Sequence, residues 1–340
     1  MKPKLTILLF LLISFSTFGQ TNFRVVFYNV ENLFDTVDNP DKDDDEFTPE
    51  ASRRWNNYRY YKKINNLSKV ISAIGEWENP ALIGLCEVEN DKVMNDLVRY
   101  SPLRKMQYSY VITSSEDVRG INVALLYQRN QFRLIDQNSI RIIFPHAPQR
   151  KTRDILHVTG KIITGDTLDV FVCHFPSRRG GELVSEPDRI VAASIVREKV
   201  DSLIAVRTKV NIIVMGDFND EPSNKSISQV LNAQIISDEI NSNELYNLFF
   251  SLEKHSPIGS YKFRDQWNLL DQIIVSGNLL DTTQIFRALP ETATIFQAPF
   301  LLVEDITHRG KRPKKTFHGY KYEGGYSDHL PVFVDFGIKQ

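Results

Sequence analysis

Side chains that could bind a metal ion or move a proton border several short apolar runs of this sequence. Each run is rich in β-branched residues, and the polar residue beside it is an acid, an amide or an imidazole. These bordering residues are Asn29, Glu31, Glu87, His174, Asp217, Asn219, Asp271, Asp328 and His329. Carboxylate and amide oxygens suit a hard cation such as Mg²⁺ or Mn²⁺. The pattern therefore indicates a divalent-cation site, and the shortage of Cys and His ligands argues against structural zinc.

Two of these residues, His174 and His329, carry imidazoles that can donate or accept a proton near neutral pH. Each residue alone is a weak signal. An Asn after a strand is usually a turn residue, and a lone His is more often structural than catalytic. The shared position at the borders of apolar runs is what predicts a site.

Seven of the apolar runs have the length and composition of buried strands. They are residues 23–28, 82–86, 121–127, 168–173, 210–215, 272–275 and 331–336. Between some of them, apolar residues recur at spacings of three and four, which is typical of a helix that buries one face. One such pattern joins Ile64, Leu67, Ile71 and Ile74, and another opens at Pro187. Interleaved strands and helices predict an α/β fold, with mixed or parallel pairing where a helix crosses over.

Six motifs along the chain resemble, in the same order, those of the endonuclease/exonuclease/phosphatase superfamily, which includes exonuclease III and deoxyribonuclease I. The motifs are YNVEN, LCEVEN, VCHFPS, MGDFND, LLDQI and YSDHLPV, and the match extends from Asn29 to about Phe336. The resemblance implies a four-layered α/β sandwich, in which two mixed β-sheets pack face to face between helices. It also implies a metal-dependent hydrolase of phosphodiesters or phosphomonoesters, with its active site at one end of the strands.

The resemblance assigns a role to each bordering residue. The divalent-cation neighbourhood would consist of Asn29, Glu31, Glu87 and Asp328. The catalytic residues would be Asp217 and Asn219, which orient water and hold the phosphate, His329 with its partner Asp271, and His174, which assists the leaving group. Whether Asp217 or His329 takes the proton of the attacking water stays open.

Arginines near these motifs are candidates for binding the substrate phosphate. Arg178 and Arg179 follow His174 and precede two glycines that allow close backbone approach. Arg119 lies in the loop before another predicted strand. The basic loop at residues 308–318 is expected on the rim of the site, where it would attract nucleic acid.

Composition excludes several classes of protein. The chain has 340 residues, of which 42% are hydrophobic and 24% are charged, so it is neither disordered nor a disulfide scaffold. Its two cysteines, Cys86 and Cys173, lie inside apolar runs and are expected to be buried free thiols. The formal net charge is −1, so a polyanion would have to be attracted by a local patch or a bound metal.

Residues 1–19 read as a secretory signal peptide, because two lysines precede a short apolar run that ends in small or polar residues. The run is too short for a comfortable membrane span. We therefore expect a secreted or periplasmic protein without a stable membrane anchor. Residues 20–340 are expected to form a single domain and a monomer. Cleavage of the signal peptide would remove two lysines and no Asp or Glu, which changes the formal net charge from −1 to −3.

Together these features predict an Mg²⁺- or Mn²⁺-dependent phosphodiesterase, with nucleic acid (DNA or RNA) as its substrate. One alternative within the fold is hydrolysis of a phosphorylated lipid or small phosphoester, because loops rather than the scaffold select the substrate. Another is a non-catalytic binding module, which the intact set of candidate residues disfavours.

Overall fold

The computed structural model describes residues 22–339, so the predicted signal peptide at 1–19 lies outside the described residues. The strands in this part of the chain are β1 (Asn22–Leu33), β2 (Leu82–Val88), β3 (Ser109–Ile112), β4 (Asn122–Tyr127), β5 (Phe132–Ile140), β6 (Ile155–Ile162), β7 (Thr167–His174), β8 (Ile212–Asp217), β9 (Ala233–Gln234), β10 (Leu245–Asn247), β11 (Tyr261–Phe263), β12 (Gln266–Asn268), β13 (Asp271–Ser276), β14 (Phe286–Ile295), β15 (Leu302–Glu304), β16 (Lys311–Pro313), β17 (Phe317–His318), β18 (Lys321–Tyr322) and β19 (Val332–Ile338). The α-helices are α1 (Asn57–Gly75), α2 (Asp91–Arg99), α3 (Glu182–Val206) and α4 (Phe250–His255).

Two large sheets contain all seven predicted strands. The first has the order β14-β19-β1-β2-β4-β3 and the second β5-β6-β7-β8-β13-β10-β9, while the remaining strands form three two-stranded hairpins. β1 is parallel to β2, and β7 is parallel to β8. A helix connects each of these pairs, namely α1 and α3. Parallel pairing across a helical connection was predicted and is confirmed.

Both faces of the sheets are buried, which produces four layers. Alternate residues of a strand point to opposite faces. Met215 belongs to the core between the sheets, while its neighbour Val214 packs with residues of α3, including Val196. The sheets approach closely at Gly84, where an added Cβ would lie 2.9 Å from the Met215 sulfur. α1 and α2 lie beside the first sheet, so the predicted four-layered α/β sandwich is confirmed.

The third helix begins earlier than the sequence predicts. Its first residue is Glu182, whereas the prediction placed the start at Pro187. Gly180 and Gly181, with φ of 85° and 121°, end the preceding loop, and the Ser185 N–H donates to the Gly181 carbonyl at 3.1 Å. Pro187 lies in the second turn, where its missing N–H removes a single helical hydrogen bond.

Two further observations concern the cysteines and the helices. Cys86 and Cys173 are buried free thiols, as predicted. Among residues 22–339, none of the helices is long and apolar enough to span a lipid bilayer.

Candidate active site

The candidate residues meet at one edge of the two sheets. β1, β2, β7 and β8 end there, and β13 and β19 begin there. The strand register sets Asp217 opposite both His174 and Asp271. Each sheet therefore contributes half of the site.

Left-handed backbone conformations turn the chain where these strands end. Glu31, Asn32, Glu87 and Asn219 have φ of 52°, 49°, 61° and 51°. Such angles are uncommon outside glycine and concentrate at functional sites. One consequence is that the Asn32 N–H donates to Glu87 Oε2 at 2.9 Å, which ties the end of β1 to the end of β2.

A buried histidine–carboxylate pair occupies the centre of the site. His329 Nδ1 and Asp271 Oδ2 are 2.7 Å apart, and His329 Nε2 lies 3.8 Å from Asp217 Oδ2. Burial alone would lower the pKa of His329, but the carboxylates of Asp271 and Asp217 raise it well above its usual value. The two carboxylates therefore favour the protonated, positively charged form of the His329 ring.

Asp217 is held by two donors. Asn29 Nδ2 donates to its Oδ2 and the Asn219 N–H donates to its Oδ1, both at 3.0 Å. Burial raises the pKa of Asp217 to about 6, although the charge of His329 opposes the rise. Asn219 itself donates through Nδ2 to the Phe175 carbonyl at 3.1 Å.

His174 differs from His329 in charge. Its Nε2 lies 3.7 Å from Asp217 Oδ2 and 4.0 Å from Glu87 Oε1, and its buried Nδ1 has no hydrogen-bond partner. Burial and the positive charge of Arg153 lower the pKa of His174 well below its usual value. The site thus contains one neutral and one charged imidazole.

This difference is measurable by NMR of the imidazole ¹⁵N nuclei in EDTA-treated protein. We expect His329 to stay doubly protonated from pH 6 to pH 8, because its raised pKa preserves the charge above the pKa of about 6.5 of a free imidazole. We expect His174 to stay neutral over the same range, because its pKa is lowered. The exposed ring of His318 gives an internal reference signal. Titration of both buried rings near pH 6.5 would contradict the charge assignment.

Three residues provide oxygen ligands that suit a divalent cation. Asn29, Glu87 and Asp328 line one cleft of about 1100 Å³. Burial raises the pKa of Asp328, and the carboxylate of Glu87 raises it further, against the opposing charge of His329. A cation among these oxygens would relieve the repulsion between the carboxylates, so the donor set fits a hard divalent ion.

The described residues contain two further clusters of potential metal ligands. Within each cluster, one ligand atom from each residue lies within 4.8 Å of the others. One comprises Asp217, Asp271 and His329, and the other Cys86, His174 and Asp217. Burial raises the pKa of the Cys86 thiol well above its usual value. Metals bind the thiolate, so the second group is a poor metal site.

The structure does not bring Glu31 into the cleft with the other predicted cation ligands. Its Oε2 accepts from the Thr316 N–H at 2.7 Å and lies 3.4 Å from Lys63 Nζ. Lys63 is buried and also donates to the Tyr326 carbonyl at 2.7 Å, just before Asp328. Lys63 was not among the predicted site residues, although its position within the apolar stripe of α1 could have indicated a buried side chain.

The three predicted phosphate-binding arginines all line the cleft but differ in availability. Arg178 donates through Nε to the Asn219 carbonyl at 2.7 Å and through Nη2 to Asn224 at 3.0 Å. Arg179 is exposed and makes no side-chain hydrogen bond or ion pair within residues 22–339. Arg119 Nη1 lies 3.9 Å from Glu87 Oε1. Arg119 and Arg179 are therefore the more available cations.

Three residues that complete the cleft, namely Arg153, Tyr261 and Phe263, were not predicted. Buried Arg153 donates to the Phe175 carbonyl at 2.7 Å. The Tyr261 ring lies 4.8 Å from the His329 ring, and Phe263 is 56% exposed at the same wall. Both aromatic residues belong to the short hairpin β11–β12, which has no marked apolar pattern. None of residues 308–318 lines the cleft, but this basic loop contacts β11 next to it, where Lys262 Nζ donates to the Arg309 carbonyl at 2.6 Å.

Asp220, next to Asn219 in the GDFND motif, forms buried contacts that hold the loop after β8 in place. Its Oδ1 forms an ion pair with Arg189 Nε at 2.7 Å, both side chains are almost fully buried, and Ser226 donates to its Oδ2 at 2.6 Å. Because Arg189 belongs to α3, this pair connects the helix to the loop after β8.

Replacing Asp220 with asparagine leaves a buried guanidinium without its counter-charge. We expect Asp220→Asn to lower the free energy of unfolding by about 3–5 kcal/mol, measured by urea denaturation. The matched control is Asp201→Asn, which removes the partner of Arg197 at a site that is 61% exposed. That variant should change stability by less than about 0.5 kcal/mol. Equal losses in the two variants would exclude a special role for the buried pair.

Comparisons with known proteins agree with this geometry. The profile of the Endonuclease/Exonuclease/phosphatase family matches residues 24–337, whereas no curated protein sequence matches the chain. The human Nocturnin catalytic domain superposes with a TM-score of 0.54 at 17% identity, covering 94% of this chain and 95% of that domain. A Bacteroides thetaiotaomicron mannosyl-6-phosphatase superposes with a TM-score of 0.55 at 16% identity, covering 92% of this chain and 98% of that protein. A humanized D. rerio TDP2 superposes with a TM-score of 0.57 at 13% identity, covering 93% of this chain and 98% of that protein.

The profile match extends over nearly the whole described chain, and the similar structures share its two packed sheets. The low identities show a common fold and do not identify a substrate. The chain therefore belongs to the endonuclease/exonuclease/phosphatase family, whose members are hydrolases of phosphate esters.

Proposed function

We propose that this protein is a divalent-cation-dependent phosphodiesterase that hydrolyses DNA or RNA by in-line attack of water. The observation that carries the proposal is the meeting of a charged His329, a buried Asp217 and the oxygen ligands around Glu87 in one cleft. Such a combination offers a proton acceptor, a cation for the phosphate and a place for a metal ion.

The proton of the attacking water goes to Asp217 in this proposal. His329 already carries its proton and cannot accept another, whereas Asp217, with a pKa of about 6, is deprotonated at neutral pH. His329, held by Asp271, stabilises the negative charge that develops on the phosphate oxygens. Neutral His174 lies beside Asp217 and helps to hold the phosphate group.

A divalent cation would be held by Asn29, Glu87 and Asp328. When bound, it would neutralise charge on the phosphate oxygens and on the leaving oxygen. Mg²⁺ and Mn²⁺ both match this set of oxygen ligands. Glu31 is not needed in this set, because Lys63 already compensates its charge.

A nucleic-acid substrate is supported by the side chains around the catalytic residues. Tyr261 and exposed Phe263 offer ring faces on which bases or sugars can stack, and Arg119 and Arg179 offer cations to flanking phosphates. The Nocturnin domain similar to this chain carries a bound sulfate, which has the shape of a phosphate group.

A second candidate function is hydrolysis of a small phosphoester, such as a sugar phosphate. The observation that favours it is that the basic loop does not line the cleft, which limits the cations available to a long polyanion. One similar structure is a mannosyl-6-phosphatase. A phosphorylated lipid is a variant of this candidate, and Leu183, which follows the cleft-lining residue Glu182, is exposed.

The decisive experiment compares substrates under identical conditions. Mature protein is incubated with supercoiled plasmid, linear duplex and single-stranded RNA in Mg²⁺, Mn²⁺ or EDTA, alongside a panel of sugar phosphates, inositol phosphates and phospholipids. We expect cation-dependent cleavage of a polymer that EDTA abolishes. Phosphate release from the small molecules without polymer cleavage would replace the proposal with the second candidate.

We also propose that the protein is exported and acts as a monomer outside the cytoplasm. The support is the sequence of residues 1–19. Mass spectrometry of the protein recovered from the medium or periplasm should find an N-terminus near Gln20, and light scattering should give the mass of one chain. An intact Met1 on the cellular protein would contradict export by cleavage.

A further inference from the structure

A second cavity lies at the edge of the first sheet opposite the candidate active site. Leu82, the first residue of β2, pairs with Tyr127 at the end of β4, and Tyr127 pairs with Ser109 at the start of β3. Glu87 lies near the other end of β2. The segments that follow Tyr127 and precede Ser109 therefore border a surface remote from the catalytic residues.

This cavity has a volume of about 650 Å³ and is lined by Arg99, Arg104 and Arg129, but by no Asp or Glu. We call it the arginine cavity. The three arginines come from separate segments, namely the end of α2, the 3₁₀ turn at 102–106 and the β4–β5 connection. Their convergence is a property of the fold and not of a local basic run.

The arginine side chains of this cavity lack protein partners. Within residues 22–339, Arg99, Arg104 and Arg129 make no side-chain hydrogen bond and no ion pair with an acidic residue. In the catalytic cleft, Arg153 and Arg178 are paired with aspartates, whereas Arg179 is, among the described residues, unpaired like the arginines of this cavity. The three arginines therefore give this cavity a local excess of positive charge, which would attract an anion.

Two hydrogen bonds, one buried and one partly buried, tie together the walls of the arginine cavity. Gln128 donates through Nε2 to the Met106 carbonyl at 2.8 Å, and Tyr108 donates through its hydroxyl to the Pro80 carbonyl at 2.8 Å. Gln107, between these walls, has a φ of 56°. A rigid frame of this kind reduces the entropy lost when a ligand binds.

We propose that the arginine cavity binds a small anion that carries two or more phosphate groups. Guanidinium groups pair with phosphate oxygens through two parallel hydrogen bonds. The cavity volume falls within the range of small-molecule sites and exceeds what a single phosphate ion fills. This site is independent of the proposed hydrolysis, because its three arginines are not among the residues that line the catalytic cleft.

The test is a titration of EDTA-treated protein with inorganic pyrophosphate, followed by isothermal calorimetry and by NMR of the backbone amides. We expect the amides of Gln107, Arg129 and Asn130 to shift on addition of pyrophosphate. We expect orthophosphate to bind at least about tenfold more weakly, because it reaches fewer of the arginines. The triple variant Arg99→Gln, Arg104→Gln, Arg129→Gln should bind pyrophosphate at least about a hundredfold more weakly, since each charge-assisted contact contributes about tenfold.

The matched control removes three exposed lysines elsewhere, in the variant Lys161→Gln, Lys199→Gln, Lys225→Gln. Its affinity should stay within about threefold of the wild type, because screening weakens distant charges. The three arginines are exposed, so the triple variant should keep its melting temperature. Unchanged affinity in the arginine variant, equal losses in both variants, or amide shifts confined to the catalytic cleft would each overturn the proposal.

Discussion

Replacing His329 with alanine is expected to lower kcat/KM by about 10³-fold or more, on whichever phosphoester proves to be the substrate. The imidazolium is the cation closest to Asp217 Oδ2, at 3.8 Å, and Asp271 keeps it in place. The variant loses the charge that would stabilise the phosphate oxygens in the transition state. Initial rates at saturating Mg²⁺ or Mn²⁺ give the measurement.

Two controls separate catalysis from folding. His318→Ala removes an exposed histidine outside the cleft and should retain activity within about twofold. The melting temperature of His329→Ala should show that the protein is folded. A folded His329→Ala variant with near wild-type turnover would remove His329 from the mechanism.

Replacing Glu87 with glutamine is expected to lower turnover by about 10²-fold and to raise the cation concentration needed for half-maximal rate by about tenfold or more. Glutamine keeps the acceptor for the Asn32 N–H, at 2.9 Å in the wild type, so the left-handed turn is preserved. What disappears is a negative charge facing the cleft. Rates measured over a series of Mg²⁺ and Mn²⁺ concentrations separate the effect on affinity from the effect on turnover.

The matched control is Glu89→Gln, two residues along the chain. Glu89 is buried and accepts from the Asp35 N–H at 2.6 Å, and it does not line the cleft. This variant should leave the cation dependence unchanged. If Glu87→Gln required no more cation than the wild type, Glu87 would not be a ligand.

The sequence was most informative where a polar residue directly follows or precedes a buried strand. Such positions are fixed by strand register, so His174, Asp217 and Asp271 come together as soon as the sheets form. Apolar periodicity reveals the strands, and strand direction decides at which edge their ends lie. This accounts for how much of the fold and of the site could be predicted.

The remaining features depend on contacts between residues distant in the sequence. Nothing local distinguishes Glu31, which pairs with Lys63, from Glu87, which faces the cleft. Likewise, the pairing of Asp220 with Arg189 depends on where α3 packs. The basic loop packs against the hairpin that carries Tyr261 and Phe263, where the Arg309 carbonyl accepts from Lys262 Nζ at 2.6 Å, but residues 308–318 do not line the cleft.

The division of the site between two sheets makes catalysis a property of their interface. Asn29, Glu87 and Asp328 lie at the edge of the first sheet, while His174, Asp217 and Asp271 lie at the edge of the second. No fragment that contains only one sheet could hold a phosphate between a cation site and a proton acceptor. A change in the relative position of the two sheets would alter the distances between these two groups of residues even if every strand were kept. Enzymatic activity is thus a more sensitive gauge of sheet alignment than any measure of secondary structure.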